Sequence, residues 1–498
     1  MSNLSDLLPS GGGSKSAEFV ASGTLPNGKP VVLKADGTVE VVGMGSVSLP
    51  ESIPAGSEYV FSAASTSPND LNFDPNTAGK FVVAYNSGGN GYAAVGTVVG
   101  TTISFGTAVS FNAITTYPLS MAFDPNTANK FVVAYSDGTG GGRATAIVGT
   151  VSGTTISFGT GYQLSANLAG YISVSFDPNT ANKFVVVYSD AGNAHYGTAI
   201  IGTISGTSIS YGSKYVFNSA GTTNYDTVAF DPNTANKFVV VYANGNSSYS
   251  TAKVGTVSGT TISYGAAAVF NAAWCGDQTL AFDPNTSGKF VAACYDGDNS
   301  NAGTANVGTY SGTTITFGAE YVFNAGSTSR PRLSFDPNTA NQFVVVYNDV
   351  GNANYGTARV GTVSGTAISY GAELITNSGA STYNTIAFDP NTAGKFVVGY
   401  QDGGNSNYGT SVVGQLAATV TATNLTSTNF VGMPDAAYSS GATATVVLQG
   451  GISLNQTSLT IGTTYFVQAD GTLGTSAGTP SVEAGRAISA TSLLLKGI

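Results

Sequence analysis

Charge is scarce in this chain. Asp, Glu, Lys and Arg make up 9% of its 498 residues, and histidine and tryptophan occur once each, as His195 and Trp274. The 17 bases are scattered and outnumbered by 27 acids, so the basic footprint of a nucleic-acid binder is missing. No apolar run approaches the ~20 residues that cross a bilayer as a helix. A lone histidine leaves little material for nucleophilic triads, or for a zinc site with the two cysteines, which lack CxxC spacing. Helical periodicity is absent, and with it any glycine-rich phosphate loop opening a helix. The opening MSNLSDLLPSGGGSKS has neither the basic flank nor the apolar stretch of a secretory signal, which predicts synthesis in a cytoplasm by the ordinary route. Cys275 and Cys294 lie in one sequence repeat and read as free, partly buried thiols, a disulfide between them staying open.

What the chain does have is glycine (65 residues) and a 42% hydrophobic fraction laid out in regular blocks, which argues against disorder. The stretch AFDPNTANKFVVVY (229–242) recurs in near copies, with the FDP aspartates at Asp74, Asp124, Asp177, Asp231, Asp283, Asp336 and Asp389. Their spacings of 50, 53, 54, 52, 53 and 53 residues mark a repeat architecture. One repeat reads as four short strands. Strand A ends in Phe, as in TVAF (227–230), and the turn DPNTANK leads to strand B, FVVVY (238–242). A polar loop leads to strand C, TAKVGTVS (251–258), and a tight turn at Gly259 to strand D, TTISYGAAAVF (260–270). Asp bonds backbone N–H groups ahead of it, Pro presets φ and Asn tolerates unusual angles, so DPN is a turn with a mechanism.

Strand B is apolar at every position, where a half-exposed antiparallel strand would alternate, so both its faces must be covered. A β-propeller blade, sandwiched between neighbours, supplies that cover, and a repeat of ~50 residues suits a blade better than a solenoid coil. The last repeat lacks a strand D, whereas an orphan copy, GSEYVF (56–61), precedes the first FDP and matches GAEYVF (318–323). The expected fold is therefore all-β: a seven-bladed propeller of four-stranded antiparallel blades (46–416), closed by an N-terminal strand that leaves fewer exposed edges. An N-terminal attachment segment with a β-hairpin (1–45) and a small C-terminal β domain (417–498) lie outside it. Both ends carry an apolar strand followed by ADGT, at Asp36–Gly37 and Asp470–Gly471, a turn signal, and can pack together as one small β domain.

The opening NLSDLLPSGGG…FVASGTLPNGKPVVLKADGTVEVV resembles the N-termini of structural proteins of marine bacteriophages, including cyanophages. The closing LTIGTTYFVQADGTLGT…PSVEAGRAISATSLLL resembles a C-terminal module of phage tail fibres and other virion proteins, and is the more specific of the two. The FDPNT repeats are similar to BNR/kelch-type propellers in architecture alone, since no SxDxGxTW box is present. The resemblance implies a non-enzymatic virion structural protein, either a tail or fibre component or a capsid decoration, that contributes to host attachment. Its implied partners are other virion proteins, met through the N- and C-terminal segments, and host-surface glycans, with oligomerisation expected and neither nucleic acid nor membrane insertion involved. The alternative is a carbohydrate-binding propeller lectin, and a third reading is a polysaccharide-degrading tailspike.

In a propeller the A–B and C–D turns share one face and the B–C and D–A loops the other. The A–B turns are nearly uniform, as structure demands, although their seven Asp and six Lys can also be read as a docking ring. The opposite face varies. Five residues before the strand-A Phe stand Pro68, Pro118, Tyr171, Tyr225, Asp277, Arg330 and Tyr383, with Tyr117, Trp274 and Arg332 nearby. Aromatics on the loops of a rigid scaffold suit the stacking of sugar rings, so Tyr117, Tyr171, Tyr225, Trp274, Arg330, Arg332 and Tyr383 are the candidate ligand residues; drift between duplicated blades is the bland alternative. The B–C loops are rich in Asp, Asn and Gly. Asp296 and Asp298 head the richest one and are candidate Ca2+ ligands through oxygen, though such loops are commonly turn formers and this one lacks the EF-hand Glu. No other cofactor is expected.

Overall fold

The computed structural model describes residues 15–49, 51–54, 56–138 and 142–496, and the chain is all-β. The opening NLSDLLPSGGG lies outside the described residues. Two compact units form, one of residues 49–418 and one assembled from both chain ends, up to Ser48 and from Thr419 onward. Among the described residues no helix is long and apolar enough to cross a membrane.

In residues 49–418 the strands follow the repeat. In the fourth copy, A is Thr223–Phe230, B Lys237–Asn244 and C Ser250–Ser258, and D comes in two pieces, Thr261–Tyr264 and Ala268–Asn271. All neighbours pair antiparallel in the order A–B–C–D. The seventh copy takes its D from far away: Tyr408–Gln415 pairs with the start of Tyr59–Phe73, Thr410 opposite Val60 and Ser411 opposite Tyr59. The D-to-A passages, expected as loops, are unbroken strand at four places: Tyr59–Phe73, Tyr162–Phe176, Thr314–Phe335 and Ala367–Phe388. Neighbouring ladders thus share a strand, and the arrangement is propeller-like.

Strand B is covered twice, as its composition requires. Phe238, Val240 and Tyr242 pack on Val185, Val187 and Phe217 of the third copy, whereas Val239 and Val241 pack on Leu280, Phe282 and Phe290 of the fifth. The core is therefore a series of layers between ladders. Strand C adds a feature the hydrophobic pattern does not reveal. Its VGT glycine, or the equivalent glycine, lies opposite the strand-B Phe in every copy, as Gly255 opposite Phe238 and Gly96 opposite Phe81, and a Cβ there would come within 2.1–2.2 Å of the aromatic ring. The glycine is the space that lets the ring lie flat on its partner strand.

The DPNT turns join the copies. Each FDP aspartate is fully buried, and its Oδ1 accepts the N–H of the Asn two residues on at 2.8–3.0 Å. That Asn donates Nδ2 to the Pro carbonyl of the next copy, at 3.0–3.5 Å in all seven, the last running from Asn391 back to Pro75. The sixth turn position is Asn or Gly because it needs φ of +61 to +71°, a region those two residues tolerate. The lysines serve structure too: Lys80 Nζ donates to the Gly153 carbonyl at 2.7 Å and Lys395 Nζ to that of Gly100 at 2.9 Å.

In the second unit, strands from both ends share one five-stranded sheet, in the order Ser16–Val20, Thr443–Leu448, Phe430–Pro434, Val31–Leu33, Val39–Val41. A second sheet is formed wholly from Ile452–Leu495. Val32, Phe430, Tyr465, Val467 and Leu493 lie in one core. The two ADGT turns are built alike: Asp36 Oδ1 accepts from the Thr38 N–H and hydroxyl at 3.0 and 2.6 Å, and Asp470 Oδ1 from Thr472 at 2.9 and 2.7 Å. These bonds lower the pKa of both carboxyls.

Candidate functional site

In every repeat the A–B register slips by one residue near the end of strand A away from the FDP turn, so that two residues of A oppose one of B. This is a β-bulge, a device that re-aims side chains. In five repeats its first residue has left-handed backbone: Tyr171, Tyr225, Asp277, Arg330 and Tyr383, with φ of +49 to +58°. None of these is Gly or Asn, and each such position costs about 1 kcal/mol or more, held by its surroundings. In the first two repeats the slip sits one residue earlier, at Ser67–Pro68 and Tyr117–Pro118.

Strand A of every repeat lines one cavity of about 550 Å³, and the bulges of six repeats contribute residues to its wall. All the candidate ligand residues but Trp274 therefore sit within strands, not in loops. Tyr117, Tyr171, Tyr225, Arg330, Arg332 and Tyr383 all line the cavity. Trp274 does not; it buttresses from behind, edge-on to Tyr225 (ring centroids 6.3 Å) and Tyr295 (5.3 Å). Tyr171 and Tyr225 lie 4.9 Å apart, forming an aromatic arc. Further round, the Arg330 guanidinium lies 3.8 Å from the Tyr383 ring centroid. Asp277 stands between the two arcs and accepts the Arg330 N–H at 3.3 Å. Burial, with Tyr295 and Asp277 close by, raises the pKa of the Tyr225 phenol.

Two members of the site went unnoticed in the sequence. Asp226, the second bulge residue of its strand, is 4% exposed, and neither carboxylate oxygen has a hydrogen-bond partner among the described residues. Burial raises its pKa well above 3.8. The equivalent Gln278 donates to Ser250 Oγ at 2.8 Å and to the Cys275 carbonyl, leaving its Oε1 without a partner. Tyr295 is the other addition. It follows Cys294, which occupies the place held by Tyr188 or Tyr242 in other copies, and its ring covers Gly276. The break from FVVVY to FVAACY was the available signal.

The raised pKa of Asp226 has a consequence for stability. The unfolded carboxyl ionises near pH 4 while the folded one stays protonated, so the native state is penalised from about pH 4 upward, by about 1.4 kcal/mol per pH unit until the folded pKa is passed. Asp226→Asn removes that penalty. Its melting temperature is expected to stay close to the parent's below pH 4 and to exceed it increasingly as the pH rises above 4; a gap that does not change with pH refutes the assignment.

The cysteines require a correction. Cys275 and Cys294, expected as free thiols, form a disulfide with Cα atoms 5.6 Å apart. Extending the Phe282–Phe290 pairing without interruption would put them on opposite faces of the ladder. The bulge at Asp277–Gln278 resets the register so that Cys275 faces Asp296, which brings Cys294 onto the same face as its diagonal neighbour.

Asp296 and Asp298, the candidate cation ligands, share one turn. Asp296 Oδ1 accepts the Asp298 N–H at 3.0 Å and Oδ2 accepts Asn271 Nδ2 at 3.1 Å, so Asp296 forms the turn. His195 is exposed, and its backbone acts in the B–C loop: its N–H donates to the Asp190 carbonyl and its carbonyl accepts from Thr223, both at 2.9 Å. GTSAG (474–478) has the spacing of a nucleophile elbow, but it follows the short strand Leu473–Gly474 and leads into no helix. The Ser476 carbonyl accepts from Gln468 Nε2 at 3.0 Å.

No family model and no curated protein matches the chain. Among solved structures it is similar to the BP39L lectin of Burkholderia pseudomallei, at 12% identity over 74% of this chain and 98% of that one, with a TM-score of 0.49. It is also similar to Sqt1 of Saccharomyces cerevisiae (10%, 74% and 99%, 0.45) and to a K499G mutant of the NanB sialidase of Streptococcus pneumoniae (12%, 74% and 71%, 0.43). Likeness at this level carries no ligand or activity over to this chain.

Proposed function

We propose that residues 49–418 form a seven-bladed, four-stranded β-propeller, closed by the strand at Tyr59, that binds carbohydrate without turnover at the mouth of its axis. The single observation behind the binding reading is the ring of bulges, which brings contacting tyrosines, guanidinium groups and a carboxylate to one cavity. A cavity of about 550 Å³ falls within the range of small-ligand sites. Flat rings beside convergent polar groups suit a sugar, whose faces are apolar and whose edges carry hydroxyls. Closure is supported by the circle of Asn-to-Pro hydrogen bonds and by the pairing of Tyr408–Gln415 with Tyr59–Phe73.

The test is retention on a glycan array followed by titration calorimetry. Tyr225→Ala is expected to weaken binding of a retained glycan about tenfold, the ~1.4 kcal/mol that an aromatic contact of this kind supplies. An unchanged affinity would remove the aromatic arc from the site. Release of reducing ends from a retained polysaccharide would replace the binding reading with an enzymatic one.

A second reading concerns where the protein works. The resemblance of both chain ends to virion proteins supports display on a bacteriophage particle, and both ends contribute strands to one sheet in a unit of their own, which suits an attachment module contacting other virion proteins. Mass spectrometry and electron microscopy of purified particles test this. The protein should appear in symmetry-related copies, and its absence from particles would end the reading.

A further inference from the structure

The mouth is not uniform around its circumference, and we infer that it selects sugars carrying a carboxylate. This rests on the carbohydrate reading and specifies its ligand class. Tyrosines line the cavity from the second, third, fourth and seventh repeats, with Tyr171 and Tyr225 in contact, whereas Arg330 and Arg332 line it from the sixth. Neither arginine forms an ion pair among the described residues. Arg330 is stacked on Tyr383, which fixes the guanidinium plane, and one Nη of Arg332 donates to the Pro331 carbonyl at 2.8 Å.

Three carboxylates lie around the cavity, none within ion-pair distance of either arginine among the described residues, although Asp70 is close enough to Arg332 to feel its charge. Asp70 accepts the N–H groups of Leu71 at 2.9 Å and Met121 at 2.8 Å. Asp277 accepts the backbone N–H of Arg330. Asp226 is buried without a partner, and burial favours its neutral form. Two guanidinium groups, one held in plane, therefore face the cavity opposite a stacking surface. A guanidinium fork matches a planar carboxylate in bidentate fashion, so a uronic-acid-type residue can lay its ring on the tyrosines and turn its carboxylate to the arginines. The chain as a whole carries −10, which opposes non-specific retention of polyanions. A preference for acidic glycans would thus trace to this arc.

The experiment pairs each acidic glycan of an array with its carboxyl-reduced, neutral counterpart, and includes sulfated neutral glycans. The full chain is expected to hold the acidic member at least tenfold tighter. Arg330→Gln and Arg332→Gln should each collapse that ratio towards one, Arg330→Lys should retain part of it, and Tyr225→Ala should weaken both arms together. Unfolding temperatures check that the variants are folded. Equal affinity for acidic and reduced members, a preference for sulfate over carboxylate, or a ratio untouched by both glutamine variants overturns the inference while the carbohydrate reading stands. Retention of no glycan at all overturns the carbohydrate reading itself.

Discussion

Phe61→Ala is expected to destabilise the protein by about 3–5 kcal/mol, the usual range for truncating a buried phenylalanine, and to loosen the two ends of the 49–418 unit together. Phe61 is 7% exposed; its ring covers Gly409 of the seventh copy and lies 5.1 Å from Tyr85 and 5.9 Å from Phe105 of the first. It therefore holds a strand to a ladder from which it is separated by almost the whole repeat array. Phe323 makes the same contacts within the array, covering Gly303 and lying 5.2 Å from Tyr347, but there a tight C–D hairpin holds the strand in place. Losing a side chain from a strand held by its hairpin leaves the loop closed, whereas at Phe61 closure of a very long loop must be sustained by pairing alone. Hydrogen exchange distinguishes the two cases. Amides of Tyr59–Ser62 and Tyr408–Ser411 should exchange faster in Phe61→Ala, while Phe323→Ala, at similar loss of stability, leaves them protected. Equal protection in both variants would mean that this strand is not the latch.

The sequence discloses the parts of the fold that repeat, because repetition averages out local accident. Period, turns and the two-faced strand B were legible since each follows from residue chemistry at a fixed spacing: Asp231-Pro232-Asn233 makes a turn, and FVVVY needs two covers. The displaced D strand was legible because GSEYVF and GAEYVF are near copies. The bulges were not. A left-handed backbone normally announces itself as Gly or Asn, and here Tyr171, Tyr225, Asp277, Arg330 and Tyr383 adopt it, so nothing in their identity marks the bend. Missing the bulge left the candidate ligand residues other than Trp274 in loops, and it hid the register that sets Cys275 beside Cys294. Asp226 was hidden for another reason. Its lack of a partner is a property of its neighbours, and a single aspartate at the end of a strand is usually exposed. The departures from the repeat, such as FVAACY in the fifth copy, locate the site better than its regularities do.

Asp231→Ala should be among the most damaging changes within the turn motif, and a comparison with Asp283→Ala isolates the reason. Both aspartates are fully buried and both cap the Asn two residues on, at 2.8 and 3.0 Å. They differ at Oδ2. In Asp231 it accepts the Gly288 N–H at 3.0 Å and the Tyr310 hydroxyl at 2.6 Å, both from the fifth copy, whereas Oδ2 of Asp283 has no partner among the described residues. Hydrogen bonds to a buried charge contribute about 1.5–3 kcal/mol each, and orphaned donors add their own desolvation penalty. Asp231→Ala is therefore expected to cost about 3–5 kcal/mol, and Asp283→Ala about 1–2, because there removal of a poorly satisfied buried carboxylate offsets part of the lost cap. A Tyr310→Phe background supplies the double-mutant cycle: it should shrink the effect of Asp231→Ala by more than 0.5 kcal/mol and leave that of Asp283→Ala unchanged. Denaturant unfolding measures all of these values. Equal losses for the two alanine variants would mean that the aspartates serve only their own turns. A difference of the expected size would make Asp231 a bolt between copies, a role not shared by Asp74, Asp177, Asp283 and Asp336, whose Oδ2 atoms have no partner among the described residues.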